Sequence, residues 1–387
     1  MDLMKNLDFK ISQLNDEAHF QSVKMTFVDL VPFLVGVGVI YICQKFLNIL
    51  FIKSFLMMVE LLYCVFVNVL YTIHFTKLHK INNSIYVLFS FLLSFMYVYT
   101  DQTGDSLRLT LPILIVNMIS IDIICFIEKF HFSISFIPTL IEKYVIQLVP
   151  IVVSIILLLI SVYLQNFYIL YFIDLIQFVL NFCSSVVGIL LITIFTCYFW
   201  YKGIHGVSVI GTILRPFWMQ MTMVNLMCIL NHQELIYIGT EGFFQWFVWI
   251  GGSGATIGLS LLCRFFAKSL QLKELGKNSL RSSFLNVNEE MIFGVPIVGN
   301  QYMKIPFFLA PIFNAIVTYT LMYLGYIDKT FLISPWMLPS IIGGFWATGG
   351  QFTSVLFIIL LIVISVFIYL PFFTIYDNSL KRKEMDL

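Results

Sequence analysis

Two residues of this 387-residue chain have types and settings that suit proton chemistry: a carboxylate at Glu289 and an imidazole at His205. A carboxylate carried to bilayer depth costs about 2.5–3.5 kcal/mol on insertion scales, so Glu289 needs a surrounding cavity or a compensating role. Asn288 and Glu290 beside it make that stretch rich in acceptors. Adjacent acids repel, and Glu290 reads as the one at the membrane surface, near the basic run that ends at Arg281. His205 stands in Tyr201-Lys202-Gly203-Ile204-His205-Gly206, where flanking glycines let backbone and ligand come close to the ring. The alternative for that imidazole is a structural hydrogen bond at a helix junction. Trp200 and Trp336 offer flat faces suited to the apolar faces of sugar rings, or else anchors at the lipid interface. Arg215-Pro216 lies inside an apolar run, where packing and gating both remain open.

Other chemistries lack their residues. Gly251-Gly252-Ser253-Gly254-Ala255-Thr256-Ile257-Gly258 has the look of a phosphate loop, but no Lys-Ser/Thr follows. Gly254 and Gly258, four apart in an apolar run, read instead as close helix packing. There is no HExxH, no Walker motif and no paired ligand set, so neither a metal nor a cofactor is expected. The seven cysteines stand singly and read as small buried hydrophobes.

The elements that must position these residues follow from composition. Sixty per cent of the chain is hydrophobic and 11% charged, against about 25% charged in soluble domains. That supports about ten crossings at roughly 20 residues each, an all-α polytopic membrane protein. It excludes a soluble enzyme, and Lys+Arg 22 against Asp+Glu 21 leaves no basic face for a nucleic acid. Apolar runs fall near 27–47, 54–73, 85–100, 108–127, 144–164, 176–201, 206–229, 243–263, 305–325 and 353–373. Ten crossings with both termini inside place 17 of the 22 Lys and Arg on the cytoplasmic side, as the positive-inside rule requires.

Two further apolar stretches are too broken for continuous helices. Residues 284–303 hold two acids, two glycines, a proline and three asparagines; residues 333–350 hold two prolines and four glycines. Irregular backbone survives at membrane depth only where protein or a cavity surrounds it, and paired broken segments point to a transporter's substrate site. Both read as re-entrant hairpins. The expected division is an amphipathic cytoplasmic lead-in at 1–24, too polar for a signal peptide, a first membrane domain at 25–165, a substrate-binding domain at 166–375, and a cytoplasmic tail at 376–387.

Asn286-Val287-Asn288-Glu289-Glu290-Met291-Ile292-Phe293-Gly294-Val295-Pro296-Ile297-Val298 resembles the NxNEPxIFGxPIV signature of the membrane-embedded IIC subunits of bacterial phosphotransferase systems, in the lactose/diacetylchitobiose/β-glucoside branch. Agreement continues in GIHG at 203–206, IGGSGATIGL at 250–259, FAKSLQLKELGK at 266–277, IPFFLAPIFNA at 305–315, Pro335-Trp336 and Ala347-Thr348-Gly349-Gly350. It covers about 200–375; the first half agrees only in pattern.

The resemblance implies a fold of ten transmembrane helices with two re-entrant hairpins. A homodimerising first half and a sugar-bearing second half that moves as an elevator are implied with it. It further implies a bacterial plasma-membrane location and a cytoplasmic IIB partner, served by IIA, that phosphorylates the sugar, usually at its C6 hydroxyl. Glu289 and His205 match the residues close to that hydroxyl. Trp200 and Trp336 match pocket tryptophans, and Asn288 and Thr348 fall in the matching substrate segments. Three departures stand out: Glu290 replaces the signature proline, the arginine expected after the TGG segment is replaced around Phe352-Thr353, and Met337 stands where a small polar residue is usual. They motivate two alternatives, an uncoupled or proton-linked carrier of a small solute, and a non-transporting sensor, receptor or immunity protein on a decayed permease fold.

Overall fold

A computed structural model describes residues 18–47, 50–81, 84–100, 106–129 and 139–385. Most of the expected lead-in at 1–24 and the last two residues of the tail lie outside the described residues. In chain order the long helices are α1 (Ala18–Asp29), α2 (Val31–Leu47), α3 (Leu50–His79), α4 (Ser84–Thr100), α5 (Thr110–Lys129), α6 (Thr139–Ser184), α7 (Val186–Tyr201) and α8 (Gly206–Leu230). After a short turn at Glu241–Phe243 and a π-helical segment at Phe244–Val248 come α9 (Ile257–Phe265), α10 (Leu270–Phe284), α11 (Glu289–Gly294), α12 (Gln301–Tyr323), α13 (Ser340–Ala347) and α14 (Phe352–Met385).

Among the described residues six helices are long and apolar enough to cross a membrane, or seven if the bent pair Tyr171–Ser184 and Val186–Tyr201 counts as one span. The remaining expected runs have particular fates. Ser84–Thr100 is apolar but shorter. The run at 144–164 lies inside α6, which continues through Gln165 and Asn166 because these residues are polar without breaking a helix. The run at 243–263 is not one helix. It is interrupted by the turn at 249–256, where Gly251, Gly252, Gly254 and Ala255 all take positive φ.

Two compact units divide the chain: Met1–Pro32 with Ser54–Phe178, and Phe33–Lys53 with Val179–Leu387. The first has a polar knot in its interior. The buried Asn117 amide donates to Asn68 O (3.3 Å), Thr72 Oγ1 (3.1 Å) and Ser90 Oγ (3.0 Å), joining α3, α4 and α5. His19 on α1 bridges Tyr71 and Asp122, its Nε2 standing 3.0 Å from both carboxylate oxygens.

In the second unit α6 ends and α7 begins with a 72° bend at Ser185. Ser185 accepts from Gly188 N at 3.1 Å as the N-cap, and Ser184 Oγ accepts from the Ile238 and Gly239 amides at 2.8 and 3.1 Å. Ser185 thus satisfies an amide that the break exposes, while Ser184 ties the break to the segment that follows α8. From α2, Lys45 Nζ donates to Gly349 O at 2.7 Å, and the edge of Tyr41 meets the ring of Phe331. Burial pushes the nearby Asp328 carboxyl up, opposed by the Lys45 charge.

At the other end of the unit, α14 caps α10. Asp377, 2% exposed, accepts from the Lys268 amide (2.8 Å), the Ser269 amide (2.9 Å) and the Ser269 hydroxyl (2.7 Å), while Glu384 accepts from the Leu270 and Gln271 amides. Asp377→Ala strands three buried donors and should destabilise this unit by about 2–4 kcal/mol, read as a lower unfolding temperature in detergent. Asp377→Asn, which keeps one acceptor oxygen, should recover part of the loss.

Candidate functional site

Three irregular segments of the second unit are laced together by two asparagines. Asn286 takes φ +59°, a left-handed conformation that asparagine tolerates better than most residues. Its Oδ1 accepts from Gly251 N and Ser340 Oγ, each at 2.8 Å, and its amide donates to Leu338 O at 3.0 Å. One side chain therefore joins the 249–256 turn, the 285–288 turn and the start of α13. Asn288, 4% exposed, donates to Ser253 O (2.7 Å) and Thr256 Oγ1 (2.8 Å). Gly252 faces it at φ +100°, and a Cβ there would lie 2.3 Å from the Asn288 amide carbon, so both backbone and space demand glycine.

The held turn presents Ser253, whose Oγ accepts from Trp200 Nε1 at 2.8 Å. Trp200 is fixed at the end of α7 with its ring centroid 4.3 Å from the His205 imidazole. His205 is the N-cap of α8, and its Nδ1 accepts from Ser208 N at 3.1 Å. Its Nε2 stands 3.4 Å from Oε1 of Glu289, the first residue of α11. Oε2 of that glutamate is buried with no hydrogen-bond partner. The pair is not sealed: the two side chains are 45% and 44% exposed. The arrangement can receive a hydroxyl on the exposed face of the pair, beside the Trp200 ring, while Oε2 lies behind that face.

Trp200, His205, Asn288 and Glu289 thus form one cluster, with Asn288 holding the turn by its amide. Trp336 and Thr348 make no hydrogen bond or ring contact with the His205–Glu289 pair. The Trp336 ring is exposed while its carbonyl accepts from Gln245 Nε2 at 3.0 Å. Thr348 is buried at the end of α13, where its hydroxyl donates to Gly344 O at 2.8 Å. Glu290 points elsewhere and accepts from Ser282 Oγ at 2.9 Å. Arg215, left open by the sequence, pairs with Glu241 at 3.0 Å.

The glycine reading needs one correction. Gly258 does pack closely, since a Cβ there would stand 2.7 Å from the Ser365–Val366 peptide. Gly254 is not on a helix but in the turn, at φ +82°, with the Phe307 ring filling the place of a side chain. Sequence reasoning assigned no part to Asn286, Ser253 or Ser208. For Asn286 a signal existed: an asparagine just before a broken helix is a natural left-handed residue.

Comparison with known proteins gives this cluster a context. The family described as "Phosphotransferase system, EIIC" matches residues 113–311. The lichenan permease IIC component of Bacillus subtilis (strain 168) is 36% identical over 189 residues, 49% of this chain and 42% of that protein, so the alignment spans less than half of it. The oligo-beta-mannoside-specific EIIC component of the same organism is 29% identical over 321 residues, 77% of this chain and 72% of that protein. The crystal structure of the transporter ChbC, the IIC component from the N,N'-diacetylchitobiose-specific phosphotransferase system, superposes with a TM-score of 0.81 at 20% identity, covering 100% of this chain and 99% of that one.

Proposed function

Because the chain belongs to the phosphotransferase system EIIC family, we propose that this multi-pass membrane protein is a sugar permease subunit. In this reading it binds a β-linked disaccharide or related sugar and moves it inward for phosphorylation by a cytoplasmic IIB partner, itself charged by IIA. The observation that carries the proposal is the His205–Glu289 pair, 3.4 Å apart beside the Trp200 ring, with Glu289 Oε2 unspent. A sugar hydroxyl set against the exposed edge of the Glu289 carboxylate gives up its proton as its oxygen meets the phosphoryl donor. Here Glu289 and His205 act on the hydroxyl and Trp200 stacks on the ring. Asn288 and Thr348 shape the pocket through the backbone they hold, and Trp336 supplies an exposed face. Termini on the cytoplasmic side, a homodimerising first unit, re-entrant geometry at 284–303 and 333–350 and elevator movement of the second unit belong to the same proposal.

The β-glucoside branch that the signature resembles and the ChbC structure supply the probes: cellobiose as a β-glucoside, and N,N'-diacetylchitobiose. Liposomes holding the purified protein should accumulate one of them as its phosphate ester when a phosphorylated IIB is supplied inside, and should bind it without phosphorylation when IIB is omitted. Sustained uptake of free sugar without any donor would favour the uncoupled carrier instead. Glu290, which motivated that alternative, is engaged by Ser282 and directed away from the pair.

A further inference from the structure

His205 caps a helix, a duty that Asn, Asp, Ser or Thr ordinarily performs better than histidine. Its ring is 45% exposed, so packing does not demand an imidazole either. What the ring adds is a second nitrogen, and the cap decides which nitrogen carries the proton. The Ser208 backbone N–H can only donate, and it is directed at Nδ1 from 3.1 Å. That contact favours a lone pair on Nδ1, and in a neutral imidazole the single proton then sits on Nε2. The Ser208 hydroxyl lies 2.8 Å from the same Nδ1 and donates to it in this tautomer. Nε2–H in turn faces Glu289 Oε1 at 3.4 Å.

Resting on the permease reading above, we propose that Ser208 is a positioning residue for phosphoryl transfer. Together with the start of α8 it holds His205 as the Nε2–H tautomer, so the ring turns an N–H toward the carboxylate at the exposed face of the pair, where the sugar hydroxyl would meet it. In the transfer step the sugar oxygen bonds to phosphorus and the bond from phosphorus to the donor atom of the partner breaks. Its electron pair leaves with that atom, and the hydroxyl proton passes to the Glu289 carboxylate. His205 keeps its proton throughout and turns its N–H toward that carboxylate.

The test uses the full chain in lipid, labelled with [15N]histidine, with the His205 signals identified by their loss in His205→Asn. A single tautomer is expected, Nδ1 bare and Nε2 protonated. Ser208→Ala removes the hydroxyl and leaves only the backbone N–H on Nδ1, so it should let a minor share of the other tautomer appear and slow formation of cellobiose phosphate about threefold with cellobiose binding unchanged, and Ser208→Thr should restore both. A second comparison separates capping from donation. Asn at 205 reproduces the cap acceptor but has no atom near Nε2, whereas Gln places an amide N–H near it. His205→Gln should therefore retain at least about ten times the transfer rate of His205→Asn, within the range general acid–base partners supply. A proton on Nδ1 in the unaltered protein, or transfer by His205→Asn equal to that of His205→Gln, overturns the proposal. Should the unaltered protein show the expected tautomer yet neither bind nor phosphorylate cellobiose or diacetylchitobiose, the permease reading fails while the tautomer assignment stands.

Discussion

Glu289→Gln should abolish the proposed phosphorylation-coupled uptake, lowering formation of the sugar phosphate by about 10²–10⁴-fold, the usual contribution of a general base. The substitution is nearly isosteric. Its amide oxygen can still accept from His205 Nε2, which stands 3.4 Å from Oε1, so the side chain should stay in place. What disappears is the capacity of the carboxylate to take a proton. Binding of cellobiose or diacetylchitobiose should consequently change little while the chemical step collapses. Equilibrium binding and single-turnover phosphorylation in liposomes separate the two. A Glu289→Gln protein that phosphorylates at the normal rate would remove the carboxylate from the mechanism. Glu290→Gln is the matched control: its partner is Ser282, and it should leave the transfer rate within about twofold, as expected of a surface change.

Asn286→Ala should be the most damaging change that touches no substrate. It removes the acceptor of Gly251 N and Ser340 Oγ and the donor to Leu338 O, and it forces alanine into φ +59°. Each stranded partner costs about 1–3 kcal/mol when fully buried, and discounting for the partial exposure of this site gives a total of about 2–4 kcal/mol. The functional loss should be larger than the stability loss. The 249–256 turn, the 285–288 turn and α13 would no longer share a fixed origin, and Trp200 depends on the first of them through Ser253. Asn286→Gly relieves the backbone strain while still removing the bonds, so it distinguishes the two causes. We expect Gly to recover a minor part of the unfolding temperature and none of the sugar binding. Normal binding by Asn286→Ala would show that the three segments hold their places without it.

Only the family resemblance implied that Glu289, His205 and Trp200 lie together, whereas the apolar runs announced a helical membrane protein and the residue types marked each of the three as a candidate. These are properties of single residues against their surroundings: a charge is expensive in an apolar run wherever the run packs. Breaks were harder to read. The 284–303 and 333–350 segments advertise themselves through proline, glycine and acids, and the structure has only short helices there. The turn at 249–256 hides inside a run whose composition is equally that of a close-packed helix, and only the positive φ of its glycines separates the two. The bend at Ser185 carries no proline or glycine at its vertex. It exists because Ser184 accepts from amides of residues more than fifty positions away, a tertiary fact no local window contains. For the same reason nothing in the chain marked Trp336 and Thr348 as standing apart from the pair: sharing a motif with a site does not fix the direction of a side chain.

The segment Phe33–Lys53 is built into the unit that carries Glu289, although about 125 residues of the other unit intervene before Val179. Its Lys45 grips the Gly349 carbonyl, and Gly38 gives passage to the Trp346 indole, which would lie 3.2 Å from any added Cβ. Heredity therefore cannot pass this unit on as one uninterrupted cassette. A lone recombination event between homologous genes, falling anywhere from codon 54 to codon 178, would splice one parent's brace onto the other parent's cradle. Viable hybrids of such permeases should accordingly favour double crossovers, or parents already matched at Gly38, Tyr41 and Lys45.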